Sequence, residues 1–198
     1  DAYRSVNGLD VDSASTLTGT GTRLTLGGTG IIGSSDLTLG GSVILRSGTA
    51  TAYAGNITVD GGTLEGATGA QGLFGTGTIT LDNGGTIADT GSNLNMSDTT
   101  SIVLGSGGGT FRNAHKKAFY GLENALISGT GQLTLDGMGS DAYSSNSRIQ
   151  MQSAQLNTYS GGTLITNKAN VQVNADTNFG AVTGKVTFDD GRMVTDIA

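Results

Sequence analysis

Two aspartates occupy the same place in two copies of one short motif, and glycoside hydrolysis requires a pair of carboxylates. Asp60 follows Ile57-Thr-Val59, and Asp82 follows Ile79-Thr-Leu81. If the copies stack as neighbouring coils, the two carboxylates come within about 5 Å, which suits a retaining glycosidase or two ligands of a Ca²⁺ ion. Gly105 holds the next equivalent position, however, and an Asp before Gly or Asn commonly bonds its own backbone in a turn. We therefore predict a turn role for both aspartates, with no metal site and no cofactor.

A second acidic pair, Asp189-Asp190, stands before Gly191-Arg192. It resembles the acidic pairs of β-helical pectin-cleaving enzymes, in which one carboxylate acts as acid and another as base or nucleophile. The repeats place it at the same turn as Asp60-Gly61 and Asp82-Asn83, and a repeated position indicates a structural role. His115 is the only histidine, and no G-x-S-x-G motif accompanies it, so Ser-His-Asp catalysis is not expected. The sequence predicts a protein that is not an enzyme.

The densest positive charge lies around that histidine. Three of the ten Lys and Arg residues fall within six positions, and together with the histidine they form the basic cluster: Arg112, His115, Lys116 and Lys117. Aromatic residues flank this cluster, and cations beside aromatics suit an acidic glycan or the sugar phosphates of lipopolysaccharide. The alternative is a solvated turn between two coils, since charge runs are usually solvated faces. Tyr143, in the inserted loop 140–147, is a further candidate contact because loops on a rigid scaffold often carry binding.

Short strands at a regular interval must position these residues. The motif that begins at Ile57 returns at Ile79 and again at Ile102, at two nearly equal intervals. Such a coil cannot bury its apolar face alone, so it must stack on further copies. We predict an all-β parallel β-helix, one continuous rod over residues 1–198 with roughly nine coils. An antiparallel sandwich is the alternative, but its loops would not recur at one period.

The period-two apolar pairs that mark the predicted strands are Leu24/Leu26, Leu37/Leu39, Val43/Leu45, Ile57/Val59, Ile79/Leu81, Ile102/Leu104, Leu133/Leu135, Ile149/Met151, Val171/Val173 and Val186/Phe188.

The composition favours the same fold. Gly accounts for 35 of 198 residues and Pro for none, and a strand paired above and below needs every N–H, which Pro lacks. The absence of Cys excludes disulfides and thiolate metal sites. It is compatible with a reducing cytosol, and it also suits a chain exported unfolded across membranes. A net charge of −6 argues against a nucleic-acid partner. No apolar run approaches the length of a membrane-spanning helix, so we expect a soluble chain, processed or excised from a longer one.

Three blocks in the segment 109–193 follow one another in a recognisable order. They are Gly109-Thr-Phe111 with Leu126-Ile-Ser-Gly-Thr-Gly-Gln-Leu-Thr-Leu135, then Asn157-Thr-Tyr-Ser-Gly-Gly-Thr163, then Ala169-Asn-Val-Gln-Val-Asn-Ala-Asp-Thr-Asn-Phe-Gly180. The segment resembles the C-terminal part of an autotransporter passenger domain with its passenger-associated β-strand repeats, whose patterns are G-T-F … I-S-G-T-G-x-L and N-T-Y-x-G-G-T. Residues 1–108 share only the general character of these repeats, apolar alternation interrupted by Gly-rich turns, and not their specific patterns.

The resemblance implies a right-handed parallel β-helix that is exported by type V secretion across a Gram-negative outer membrane. Family members are adhesins, aggregation factors or stalks, and the repeat carries no catalytic residues. We therefore expect a non-enzymatic extracellular or cell-surface adhesin or stalk fragment. Its partner would be a glycan or protein on a host or bacterial surface, and this segment would not insert into a membrane. Two alternatives stay open: a filament subunit that self-associates end to end through unpaired strand edges, and a polysaccharide-cleaving β-helix like a phage tailspike.

Overall fold

The computed structural model describes residues 3–91, 94–96, 101–113, 122, 125–137, 148–152 and 156–195. Its strands pair in parallel and stack as a β-solenoid of about seven turns. The predicted all-β parallel β-helix is confirmed. The nine coils expected from the sequence are somewhat too many, since the solenoid has about seven turns; within the described residues its three sheets have nine, six and three strands.

The described strands have the following bounds: β1 (Tyr3–Val11), β2 (Ser15–Gly19), β3 (Arg23–Gly33), β4 (Leu37–Gly41), β5 (Ile44–Ser47), β6 (Ile57–Asp60), β7 (Thr63–Gly66), β8 (Ile79–Asp82), β9 (Gly85–Asp89), β10 (Ser101–Leu104), β11 (Gly109–Asn113), β12 (Leu126–Gly129), β13 (Leu133–Asp136), β14 (Ile149–Gln150), β15 (Thr163–Thr166), β16 (Asn170–Val173), β17 (Val186–Asp189) and β18 (Arg192–Thr195). A short 3-10 helix, Asp176–Phe179, precedes β17. The predicted apolar pairs fall on these strands, with Val43 and Met151 one residue outside β5 and β14.

Three sheets form the faces of the solenoid. The nine-stranded sheet has the order β1-β3-β5-β7-β9-β11-β13-β15-β17, the six-stranded sheet β12-β10-β8-β6-β4-β2, and the three-stranded sheet β14-β16-β18. Neighbouring strands come from successive coils, so each residue lies beside its counterpart one coil away. Ile57, Ile79 and Ile102 are register partners, as their spacing predicted.

Columns of apolar side chains fill the interior. One column of the nine-stranded sheet runs through Leu24, Leu45, Leu64, Ile87, Phe111, Leu135, Ile165 and Phe188. Alternation at period two turns the adjacent residues outward, where Thr63, Thr86 and Thr110 form a column of their own. Full burial of one Leu or Ile contributes about 1.5–3 kcal/mol, and the burial of each coil is completed by the coils next to it.

The turn after β8 shows why the motif contains Asn and Gly. Asn83 and Gly84 have φ angles of 50° and 76°, in a region that Gly adopts freely and Asn more readily than most residues. Gly85 then begins β9 so close to the preceding coil that a Cβ would lie 1.9 Å from the carbonyl oxygen of Val59. These three residues therefore allow a sharp corner while the coils keep the spacing of paired strands.

The two ends of the solenoid differ in chemistry. Arg4 is the register partner of Leu24, so the first coil has a charged residue in the inward-facing column. At the other end Phe188 continues that column and is 50% exposed. An inward-facing charge on an edge strand disfavours pairing with a further strand, whereas the residue that ends this column at the C-terminal side is apolar.

Candidate ligand-binding surface

Arg112 is the member of the basic cluster that the structure describes. It faces outward from β11, and its Nε lies 2.9 Å from Oδ2 of Asp136 on the next coil. Asp136 also accepts a hydrogen bond of 3.0 Å from Nδ2 of Asn167. A guanidinium held by a carboxylate in this way is partly neutralised, so Arg112 is less suited to an anionic ligand than its sequence context suggested. Four predicted site residues lie outside the described residues: His115, Lys116, Lys117 and Tyr143.

Asp60 and Asp82 are register partners, as the repeats predicted. Oδ1 of Asp82 accepts hydrogen bonds from the backbone N–H groups of Asn83 at 2.9 Å and Gly107 at 2.7 Å. Oδ1 of Asp60 accepts a bond of 2.6 Å from Nδ2 of Asn83. The next coil closes over Asp82, since a Cβ on Gly105 would lie 2.4 Å from its carboxyl carbon. Carboxylates bonded in this way stabilise the turn.

The predicted position of Asp189 and Asp190 is wrong. β17 belongs to the nine-stranded sheet, whereas β6 and β8, which carry Asp60 and Asp82, belong to the six-stranded sheet. Asp189 aligns with Thr166 instead, at the corner that leads to the three-stranded sheet. The same apolar alternation followed by Asp occurs on both faces, so the motif alone did not distinguish the two corners.

Neighbouring coils are bonded together by the segment that we name the tie block, Asn157-Thr-Tyr-Ser-Gly-Gly-Thr163. Oδ1 of the buried Asn157 accepts a hydrogen bond of 2.9 Å from the N–H of Ile127, and its Nδ2 donates one of 2.9 Å to the carbonyl of Asn178. The hydroxyl of Tyr159 lies 2.6 Å from Oγ1 of Thr163, also in the interior. Burial raises the pKa of Tyr159 to about 12, although the bond to Thr163 acts in the opposite direction. Asn157 therefore serves the contact between coils, whereas the bond between Tyr159 and Thr163 lies within the tie block.

An ion pair that the sequence reasoning missed spans two coils on the outer face of the nine-stranded sheet. Nη2 of Arg23 lies 3.1 Å from Oε1 of Glu65, and the ring of Tyr3 stacks on the guanidinium, 5.4 Å from ring centroid to carbon. Glu65 is buried, and its Oε2 has no hydrogen-bond partner among the described residues. The two charged residues are 42 positions apart, so they come together only once the coil boundaries are known.

Hollows of different chemistry lie at the C-terminal end of the solenoid. An apolar hollow of about 260 Å³ is lined by residues that include Val173, Phe179, Val186, Phe188 and Met193. A smaller hollow of about 190 Å³, on the outer face of the three-stranded sheet, is lined by Arg148, Asn170, Arg192 and Val194. The sequence contained a signal for the second, because Arg148, Asn170 and Arg192 follow one another at equal intervals of one coil.

No family model, curated protein or solved structure matches this chain. Within the described residues, no helix is long and apolar enough to cross a membrane. In the same part of the chain, no three His, Cys, Asp or Glu side chains are placed to hold a metal ion. The function has to be argued from the residues and their geometry.

Proposed function

We propose that the chain is a non-enzymatic extracellular adhesin or stalk, part of an autotransporter passenger domain exported across a Gram-negative outer membrane. The tie block carries the proposal. Of the residues by which it resembles the family's repeat, Asn157 is bonded to two other coil segments, and Tyr159 is bonded to Thr163 within the block, in the interior. The resemblance therefore lies in residues with a defined structural role, beyond a general similarity of composition.

The stacked coils suit a stalk or an adhesin mechanically. A strand such as β8 is paired on both sides, with β6 on one and β10 on the other, and each coil is held mainly by its neighbours. About seven turns at the ~4.8 Å strand spacing give a rod roughly 35 Å long. Such a rod would hold the residues of its outer faces at a fixed distance from a membrane.

Surface display tests this proposal. The chain would be fused to the translocating barrel of an autotransporter and expressed in a bacterium that does not adhere by itself, with the barrel alone as control. We expect the chain to become accessible to antibody on the cell surface. An adhesin would also increase attachment to epithelial cells or glycan-coated plates, whereas a stalk would be displayed without attachment. Failure of the folded chain to reach the surface would overturn both roles.

Self-association is the second candidate, favoured by apolar side chains exposed at the C-terminal end. Phe188 and Met193 are 50% and 42% exposed there, and β17 is the outer strand of its sheet. If two copies stacked head to tail, however, Phe188 of one copy would lie against Arg4 of the next. The charge of Arg4 would then be buried without a partner, which is costly. Light scattering over a wide concentration range distinguishes the outcomes: a filament requires rods that lengthen with concentration, and a monodisperse monomer excludes it for this chain.

A further inference from the structure

A polar column follows the outer face of the three-stranded sheet. Asn170 on β16 is the register partner of Arg192 on β18. Arg148 immediately precedes β14, which pairs in parallel with β16, so it lies one coil before Asn170. The two arginines are therefore two coils apart, with Cα atoms roughly 10 Å from each other. Together with Val194 these three residues line the hollow of about 190 Å³.

Buried amides hold both guanidinium groups in position. Nη1 of Arg148 donates a hydrogen bond of 2.7 Å to Oε1 of Gln172, which also accepts one of 2.9 Å from Nε2 of Gln150. Nε of Arg192 donates a bond of 3.2 Å to Oδ1 of Asn170. Gln172 and Asn170 are each only 3% exposed. Side chains fixed on strands before a ligand arrives lose less entropy when it binds.

We propose that this hollow, the arginine pocket, binds the carboxylate or sulfate group of an acidic sugar. Guanidinium is planar and always charged, and its forked N–H donors match the oxygens of such an anion. Val194 supplies an apolar contact for the carbon face of the sugar ring.

The size of the arginine pocket limits what enters it. Its volume of about 190 Å³ is below the ~300–1,000 Å³ of sites for drug-sized ligands. It therefore accommodates one charged sugar at a chain end or branch, and the rest of a glycan would lie outside. The pocket is on the three-stranded sheet, whereas Arg112 of the basic cluster is on the nine-stranded sheet, so Arg112 does not belong to the pocket. The choice of a sugar as carrier rests on the proposed extracellular role.

Titration of the isotope-labelled full chain with glucuronate tests the arginine pocket. Arginine Nε–H and backbone amide signals of β16 and β18 would be followed by NMR at low salt. We expect saturable shifts that weaken as salt is raised, about tenfold weaker binding for Arg148→Gln or Arg192→Gln, and greater loss in the double variant. Lys185→Gln removes the same charge from an exposed position near the same end and should bind like the parent.

Each other outcome overturns the proposal. Equal glucuronate binding by the parent and the double variant would exclude these arginines, and shifts caused equally by glucose would exclude recognition of the charge. Binding of inorganic sulfate without glucuronate or a sulfated monosaccharide would exclude a sugar ligand. If Arg148→Gln unfolds the protein, Arg192→Lys is the substitute. It keeps the positive charge but lacks the paired N–H donors of the guanidinium, so it should still weaken binding.

The same titration separates the arginine pocket from the proposed adhesin role. Glucuronate binding by a displayed chain that attaches to no cell would uphold the pocket and overturn the adhesin. Attachment that survives the double variant, when glucuronate binding does not, would uphold the adhesin and overturn the pocket as its receptor site.

Discussion

Several polar side chains of this chain have a structural role, as three residues illustrate: Asp82, Asn157 and Tyr159. Asp82 accepts a hydrogen bond from the N–H of Gly107 on the next coil, Asn157 bonds two other coil segments, and the Tyr159 hydroxyl contacts Thr163 inside the stack. Buried polar groups must be hydrogen-bonded, and in a parallel solenoid the adjacent coils supply many of the nearest partners. Polar residues at turn and tie positions therefore have structural reasons to recur.

Replacing Asp82 tests the turn role of the aspartate pair. Asp82→Ala would remove the acceptor of the exposed N–H groups of Asn83 and Gly107, so we expect a loss of about 0.5–1.5 kcal/mol in the free energy of unfolding, measured by urea denaturation. Asp189→Ala is the matched control, because Asp189 is exposed on a terminal strand and its replacement should change stability by less than about 0.5 kcal/mol. Equal stability of Asp82→Ala and the parent would contradict the turn role.

The raised pKa of Tyr159 predicts that the free energy of unfolding decreases in alkali. Its pKa is about 12 in the folded protein, raised by burial from the ordinary value of 10.0. Because the folded pKa is the higher one, this contribution is complete below pH 10 and declines as the pH rises toward 12. This increase in pKa, from 10.0 to about 12, corresponds to about 2–3 kcal/mol. Chemical unfolding at a series of pH values should show this decline in the parent and a smaller one in Tyr159→Phe; identical pH profiles would contradict it.

At the scale of strands, pairing on both sides explains the absence of proline. Thr80 lies in the middle of β8, with Thr58 on β6 and Val103 on β10 as its register partners. Each N–H of such a strand is needed for its ladders, and only edge strands tolerate Pro well.

Thr80→Pro therefore should unfold or strongly destabilise the central coils. It removes one ladder hydrogen bond, which leaves a buried acceptor at a cost of about 1–3 kcal/mol, and the ring adds a steric clash. Thr80→Val is the control, since it keeps the N–H and the β-branched shape and should fold normally. Circular dichroism and thermal melting provide the comparison, and a Thr80→Pro variant with the melting temperature of Thr80→Val would show that β8 is not paired on both sides.

The sequence predicted the strands better than the corners and the sites. Apolar alternation and the regular return of the motif placed Ile57, Ile79 and Ile102 in register correctly, because interior columns require it. Asp189 was assigned to the wrong corner, since strands of two different sheets share the same alternation. The ion pair of Arg23 with Glu65 depends on contacts two coils apart, which local pattern does not contain.

For the whole molecule, the central claim is that the coils form one cooperative stack, a rigid rod. Interior coils have neighbours on both sides, whereas β1 and β17 are the outer strands of the largest sheet. The first coil also has Arg4 in the inward column, and the last exposes Phe188. Local stability should therefore be highest in the middle and fall toward both ends.

Hydrogen exchange measured residue by residue tests this claim most directly. The account predicts slow exchange for the strand amides of β6, β8 and β10, at rates close to those set by global unfolding, and faster exchange in β1, β2, β17 and β18 because the terminal coils fray. Uniformly fast exchange across the segment from Ile57 to Leu104 would contradict the stacked rod and, with it, the roles proposed for its outer faces.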